Sequence, residues 1–442
     1  MSDQSLAKQL FAMTWPMLFG VLSLLSFQLI DSAYIGQLGV TPLAAQGFTM
    51  PMQMVIIGIQ VGLGIATTAI ISRTIGEGRD HVAQQQGGLV LVLGTVGVGL
   101  LSAVIYVIRD PILSLLSAPE AVFPVIDQYW IWWLISAWVG AILYFLYSVC
   151  RANGNTKLPG ILMMVSSVIN LALDPLFIFT FDLGINGAAV ATILAFGIGI
   201  LIITPRITKQ HWISFNFSGL NIAKQLRTIS KIMGPAMISQ LLPPVSSMLA
   251  TKLIASYGSI AIAAWAMGSR YEFFSIVVVL ALTMSMPPMV GRLLGQNQLS
   301  QIERLVSLAI RFILGFQTLI AVITWLVSAP LSLLLASDGQ VQSLVDTQLS
   351  IMPISFAPLG VCILLVSISN ALGKSYTALT ISALRLFAFY LPCMAIGAYF
   401  AGLNGIYWGA LLGNCGAGIA SWLLYRRTLA SLRQTHSEQS YA

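Results

Sequence analysis

Residues 16–45 read PMLFGVLSLLSFQLIDSAYIGQLGVTPLAA. Pro16, a kink-former, stands near the start of an apolar run, and one carboxylate, Asp31, lies far inside it. A run of this kind is long enough to cross a hydrocarbon core of about 30 Å. A charge inside such a span costs on the order of 3 kcal/mol. Asp31 therefore has to be explained by what it does or by what neutralises it. The stretch returns in degenerate form 219 residues later, with Ala250 in place of the carboxylate.

Composition extends this reading to the whole chain. Of 442 residues, 57% are hydrophobic and only 8% charged, where a soluble domain carries about 25% charged residues. Mean hydropathy is +0.88. Apolar runs recur from end to end, and only helices suit continuous runs of this type in lipid. The net charge of +7 is explained by basic loops on one side of a membrane, so no nucleic-acid partner is expected. The four cysteines, Cys150, Cys362, Cys393 and Cys415, show no CxxC spacing and are given no metal or disulfide role. The first apolar run is too long for a cleavable leader and has no small-x-small site.

Twelve spans are predicted, near 10–35, 48–72, 87–108, 124–148, 158–181, 185–205, 229–255, 259–290, 305–328, 341–370, 375–400 and 403–425. Lys and Arg fix the sidedness. Sixteen fall on the side of both termini, against Arg109 and Lys252 on the other, so both termini are expected in the cytoplasm. The longest polar connection, 206–228, is basic and central. It divides the chain into an N-lobe (1–205), a cytoplasmic linker (206–228), a C-lobe (229–426) and a cytoplasmic tail (427–442).

The lobes are repeats. Pro16 pairs with Pro235, Gly39 with Gly258, Arg73 with Arg292, Gly76 with Gly295, Asp127 with Asp346 and Gly154 with Gly373, each 219 apart. After one deleted residue, Ile185-Asn186-Gly187 pairs with Leu403-Asn404-Gly405. Six spans per copy means copies of one orientation. The expected fold is all-α and integral to the membrane, with twelve transmembrane helices as two parallel six-helix repeats around a central cleft.

Polar groups inside spans are few. Asp31 falls in the outer half of span 1. In span 5, NLALDP (170–175) places Asn170 and Asp174 four residues apart on one helix face. The structural alternative is that Asp174 serves a helix break before Pro175. Thr192 in span 6 and Tyr129 at the opening of span 4 come out at similar depth. Thr192 alone reads equally as a helix contact. Tyr129, with Trp130, Trp132 and Trp133, reads equally as an interfacial aromatic belt. Two carboxylates close together in a poorly solvated site share a proton as a coupled unit, and Asn, Thr and Tyr serve either protonation state. The same oxygens suit sodium, so residue type does not choose the ion. The second lobe lacks the set: Asn170 becomes Phe389 and Asp174 becomes Cys393. Its buried charges, Arg270, Glu272 and Arg385, are read as structural pairing, with Glu272 and Arg385 as the cross-helix pair. Gly373-Lys374-Ser375 ends like a phosphate-binding loop, but Ile368 stands where the first glycine belongs. No nucleotide or other cofactor is expected. The histidines, His81, His211 and His436, lie in loops or the tail, which argues against an intramembrane enzyme such as an acyltransferase.

The duplicated twelve-span plan, the pattern Pro16…Asp31…IGQLG…PLAA, the GEGR turn at 76–79 and NLALDP resemble the multidrug and toxic compound extrusion (MATE) transporters. The likeness covers nearly the whole chain and is nearest to the prokaryotic DinF-type branch. It implies a secondary active exporter of amphipathic or cationic small molecules, driven by inward movement of H⁺ or Na⁺ through alternating access. It places the proton or cation site at Asp31, Asn170, Asp174, Thr192 and Tyr129, and associates Pro16 with bending of span 1. The expected setting is a bacterial inner membrane, with lipids as neighbours and a monomeric chain. A flippase for lipid-linked precursors shares the superfamily, but it needs a strongly cationic cavity, whereas the conspicuous cluster here is acidic.

Overall fold

The computed structural model of the chain describes residues 3–116, 119, 122–336 and 338–441, with side chains described between 5 and 434. Residues 1, 2 and 442, at the ends of the predicted N-lobe and tail, lie outside the described residues, as does the side chain of His436. The described residues form helices and no strand. They divide into two units, Phe11–Met237 and Met1–Leu10 with Ile238–Ala442.

The first unit is built from α1 (Asp3–Gln37) from Phe11 on, α2 (Val40–Gly76), α3 (Asp80–Val107), α4 (Arg109–Leu115), α5 (Phe123–Ala152), α6 (Lys157–Pro175), α7 (Ile185–Lys209) and the part of α8 (Ile222–Ala255) up to Met237. Helix α5 is its hub and packs on α2, α3 and α7. A π-helical segment, Leu176–Thr180, continues α6. Pro175 has no N–H to give the preceding turn, and the chain answers with wider spacing, as Phe181 N–H donates to the Leu176 carbonyl at 2.9 Å. The helix therefore does not stop at Asp174.

The second unit holds the rest of α8 from Ile238, with α9 (Ser259–Ser275), α10 (Val277–Gly295), α11 (Leu299–Leu335), α12 (Gly339–Ile351), α13 (Phe356–Ala371), α14 (Ser375–Ala383) and α15 (Leu391–Tyr441). Its hub is α13, which packs on α10, α11 and α15. Ten helical stretches among the described residues are long and apolar enough to cross a membrane. One of them, Ser375–Gln434, is broken by non-helical backbone at Ala401 and Gly402 and so makes two spans. With the more polar α8 the fold is the expected twelve-helix one.

The duplication is written in the backbone as well as the sequence. Gly39 (φ 112°) and Gly258 (φ 98°) precede α2 and α9 in the same extended mirror-image conformation. Gly154 and Gly373 share positive φ, 82° and 73°. Gly78 (φ 75°) is matched by Asn297 (φ 57°), the residue that best tolerates left-handed backbone after glycine. Gly184 (φ 54°, ψ −137°) and Gly402 (φ 59°, ψ −138°) turn the chain before the last span of each copy. Even the kink at Ile108 (φ −96°, ψ 17°) recurs at Val327 (φ −114°, ψ 17°).

Other features are not copied. Span 8 is split at Ile276 into α9 and α10, while its counterpart α2 is continuous. Span 10 is split by a 3₁₀ turn at Met352–Ser355, while α5 is continuous. The region expected as linker is helical at both ends. Helix α7 runs to Lys209 and α8 starts at Ile222, which leaves a strap at 210–221. The strap is held on α3: Ser214 N–H donates to the Gln84 carbonyl at 2.9 Å, and the Gln85 amide donates to the carbonyls of Asn216 and Ser218 at 2.8 and 3.0 Å. A Cβ at Gly88 would collide with the Ser214 carbonyl. The predicted tail is helical too, as α15 runs to Tyr441.

Candidate functional site

Helix α1 carries Asp31 and stays helical through Pro16. Its seam with α6 is backbone on backbone: a Cβ at Gly160 would collide with the Pro16 carbonyl, and the Thr156 hydroxyl donates to the Met13 carbonyl at 2.7 Å. Proline removes one helical donor in this turn, and Thr156 brings another donor to it.

Asp31 opens onto a cavity of about 510 Å³ inside the first unit. Tyr129 and Thr192 also line it. One carboxylate oxygen of Asp31, Oδ1, is buried and makes no hydrogen bond among the described residues. Asn170 and Asp174 are absent from the lining; both are fully buried behind it. Oriented to satisfy both ends, the Asn170 amide donates to Asp174 Oδ2 at 2.8 Å, and its oxygen accepts from Thr192 Oγ1 at 3.0 Å and Thr192 N at 3.2 Å. Asn170 is thus a bridge between the hidden carboxylate on α6 and the cavity-facing hydroxyl on α7. The structure therefore brings Asp31, Tyr129, Asn170, Asp174 and Thr192 into one constellation.

Chemically this is a set of neutral and anionic oxygens around one unpartnered carboxylate oxygen. It suits a proton or a hard monovalent cation. Among the described residues, no cluster of three His, Cys, Asp or Glu side chains is placed to hold a metal ion. The ion pairs within 4.0 Å among the described residues include Arg73–Glu77, Arg79–Glu77, Arg109–Asp110, Arg109–Asp127 and Arg433–Glu303. None of them involves Asp31 or Asp174.

The aromatic residues of span 4 divide. Tyr129, Trp130 and Trp133 are buried, and only Trp132, 42% exposed, faces outward. Tyr129 and Trp133 both line the cavity. A second polar face went unread in the sequence. Gln46, Thr49, Gln53 and Gln60 share one side of α2 and line the same cavity. Their spacing of three, four and seven within an apolar span was the available signal.

In the second unit, Glu272 and Arg385, expected as a cross-helix pair, form no ion pair within 4.0 Å among the described residues, and both are half-buried. Arg270 is exposed. The positions matching the first-unit cluster are packed apolar. Ala250 is buried. Phe389 fills a slot where a Cβ on Gly416 would lie 2.7 Å from its ring, and a Cβ on Gly409 would collide with the Cys393 carbonyl.

Comparison with known proteins agrees with this architecture. The family model described as MatE matches twice, over residues 16–176 and 235–396. The chain is 30% identical to a FAD transporter of Shewanella oneidensis over 98% of its length and 97% of that protein's. It is 25% identical to a probable multidrug resistance protein of Bacillus subtilis, YpnP, over 95% and 94%. Among solved structures, the Vibrio cholerae MATE transporter VcmN in its bent form is 63% identical, with a TM-score of 0.96 over 97% of this chain and 98% of that one. These relatives are transporters and not enzymes. With its duplicated six-helix plan and its twofold match to the family model, the chain is a multi-pass membrane protein that belongs to the MatE family of transporters.

Proposed function

We propose that the chain is a secondary active exporter of amphipathic or cationic small molecules, driven by inward movement of H⁺ through the first-unit cluster. The observation that carries this is the Asn170 bridge from Asp174 to Thr192, set behind an Asp31 oxygen that has no hydrogen-bond partner among the described residues. Asp31 takes and releases the coupling ion. Asp174 shares the charge, Asn170 and Thr192 hold it in place, and Tyr129 covers the site. A change of charge at Asp31 alters the hydrogen bonding of α1, and Pro16 lets that helix bend. Sodium at the same oxygens is the nearest variant. The resemblance to the DinF-type branch and the named multidrug relatives support this reading. The excess of Lys and Arg beside both termini supports a bacterial inner-membrane setting with cytoplasmic termini. The working unit is a monomer in contact with lipid.

A membrane potential supplies about 2.3 kcal/mol per charge per 100 mV, and it drives export only if the ion and cargo bind the two conformations differently. The test is purified protein in liposomes, with dye flux followed under an imposed proton gradient and then a sodium gradient. Asp31→Asn should bind cargo but lose gradient-driven flux. Full proton-driven flux by that variant overturns the assignment.

A second cargo reading rests on the Shewanella oneidensis relative named as a FAD transporter. The cavity offers neutral amides from Gln46, Gln53 and Gln60 beside the rings of Tyr129, Tyr144 and Trp133. Such a lining suits a planar heteroaromatic with hydrogen-bonding edges, which a flavin has. Flavin dinucleotide and a cationic dye, offered in the same liposomes, separate the two readings.

A further inference from the structure

We infer that the first unit holds a second binding site, for a phosphate-bearing anion, in a basic pocket between the start of α6 and the end of α7. The pocket has a volume of about 480 Å³, and Lys157, Arg206 and Lys209 converge on it. No carboxylate lines it. None of the three cations forms an ion pair within 4.0 Å among the described residues. The start of α6 adds to the positive field, while Arg206 and Lys209 stand in the last turn of α7 and outweigh the negative end of that helix. Helix α6 begins at Lys157, and Lys157, Leu158 and Ile161 of its first turns line the pocket, so its free N-terminal N–H groups lie at that end of the helix. Asn155 accepts from Leu158 N–H at 3.0 Å, but the hydroxyl of Thr156, at the capping position, is spent on the Met13 carbonyl. Half-buried Trp212 and the side chain of Leu158 supply an apolar wall beside the cations.

Loop bias toward Lys and Arg explains why cations lie on this side. It does not explain their convergence. Lys224 and Arg227 belong to the same basic side and line no part of the pocket. Nor is the pocket a product of the duplication, since the corresponding positions are Tyr376, Leu424 and Arg427, with one cation instead of three. Along α6 the pocket lies about 25 Å from Asp174 at 1.5 Å per residue, so it is separate from the coupling cluster. Three unpaired cations, a helix N-terminus and an indole at the membrane surface together suit the phosphate of an anionic lipid headgroup, with the apolar wall against its acyl chains. A soluble phosphate would use the cations alone.

The test is retention of lipid by purified protein, read by native mass spectrometry after exchange into micelles containing phosphatidylglycerol or phosphatidylcholine, with inorganic phosphate as the soluble arm. Wild type should retain phosphatidylglycerol and not phosphatidylcholine, and retention should weaken with added salt. Arg206→Gln should lower retention about fivefold, and each further cation removed in Lys157→Gln and Lys209→Gln about fivefold again. Lys224→Gln with Arg227→Gln should leave it unchanged. Arg206 is exposed, so the single variant reads binding without loss of fold. Binding of inorganic phosphate that depends on the three cations, without lipid retention, assigns the pocket to a soluble phosphate. Equal retention of both lipids by wild type, or retention of phosphatidylglycerol by the triple variant at the wild-type level, overturns the proposal.

Discussion

Asn170→Leu keeps the branching and heavy-atom count of the side chain and removes both ends of the bridge. Asp174 Oδ2 would lose its donor at 2.8 Å, and Thr192 would lose its acceptor at 3.0 Å. Asn170 and Asp174 are both fully buried, so water does not replace what is removed. A hydrogen bond to a charged group contributes about 1.5–3 kcal/mol, and an orphaned buried acceptor costs about as much. Taking about 2 kcal/mol as the central figure, gradient-driven flux should fall about 30-fold. The assay is dye flux in liposomes under a fixed proton gradient, run as a double-mutant cycle with Asp174→Asn. In the Asp174→Asn background the charge that Asn170 serves is gone, so adding Asn170→Leu should cost less than about threefold. Flux of Asn170→Leu within twofold of wild type, or an equal loss in both backgrounds, would refute the bridge as the link between carboxylate and hydroxyl.

Gly88→Ala should push the 210–221 strap off α3, because the new methyl meets the Ser214 carbonyl; the expected cost is about 1–3 kcal/mol, read as earlier thermal unfolding and faster proteolysis at the strap. Gly184→Ala and Gly402→Ala occupy nearly the same φ and ψ and should each destabilise by about 1–3 kcal/mol; a thermal shift confined to one of the two would count against the backbone repeat. Gln60→Leu should change cargo preference while leaving the response to the proton gradient intact, measured as the ratio of two dyes exported under one gradient. Thr156→Val removes the donor to the Met13 carbonyl and should slow flux without lowering equilibrium dye binding.

The sequence exposed the features that announce themselves by cost. Asp31 and Asp174 stand out because a charge in an apolar run is expensive, and Asn170 followed because it shares a helix face with Asp174. The repeat was legible because glycines and prolines at turns are constrained by backbone geometry, which tolerates few substitutes. Neutral amides cost less in a span, so the Gln46, Gln53 and Gln60 face of α2 does not announce itself in the sequence. Hydropathy senses continuity of apolar side chains and not hydrogen-bond spacing. The π-helical turns at 176–180 and 384–390 and the break at Ile276 were invisible to it. Lys157, Arg206 and Lys209 were read only as loop charge, because their convergence depends on how α6 and α7 pack. That Asn170 and Asp174 sit behind the cavity wall also required coordinates.

The four matched turns, Gly39 with Gly258, Gly78 with Asn297, Gly154 with Gly373 and Gly184 with Gly402, imply an asymmetry in how the chain tolerates change. Turn residues govern whether the chain folds, so a saturation scan should find them intolerant to similar degree in both copies. Residues inside the spans should behave differently. Substitutions at Asp31, Asn170 and Asp174 should abolish drug resistance while protein levels hold. Their partners Ala250, Phe389 and Cys393 should register only through abundance. Plotting resistance against abundance for each pair would show which parts of the ancestral unit were kept as scaffold and which were released to carry chemistry in one copy alone.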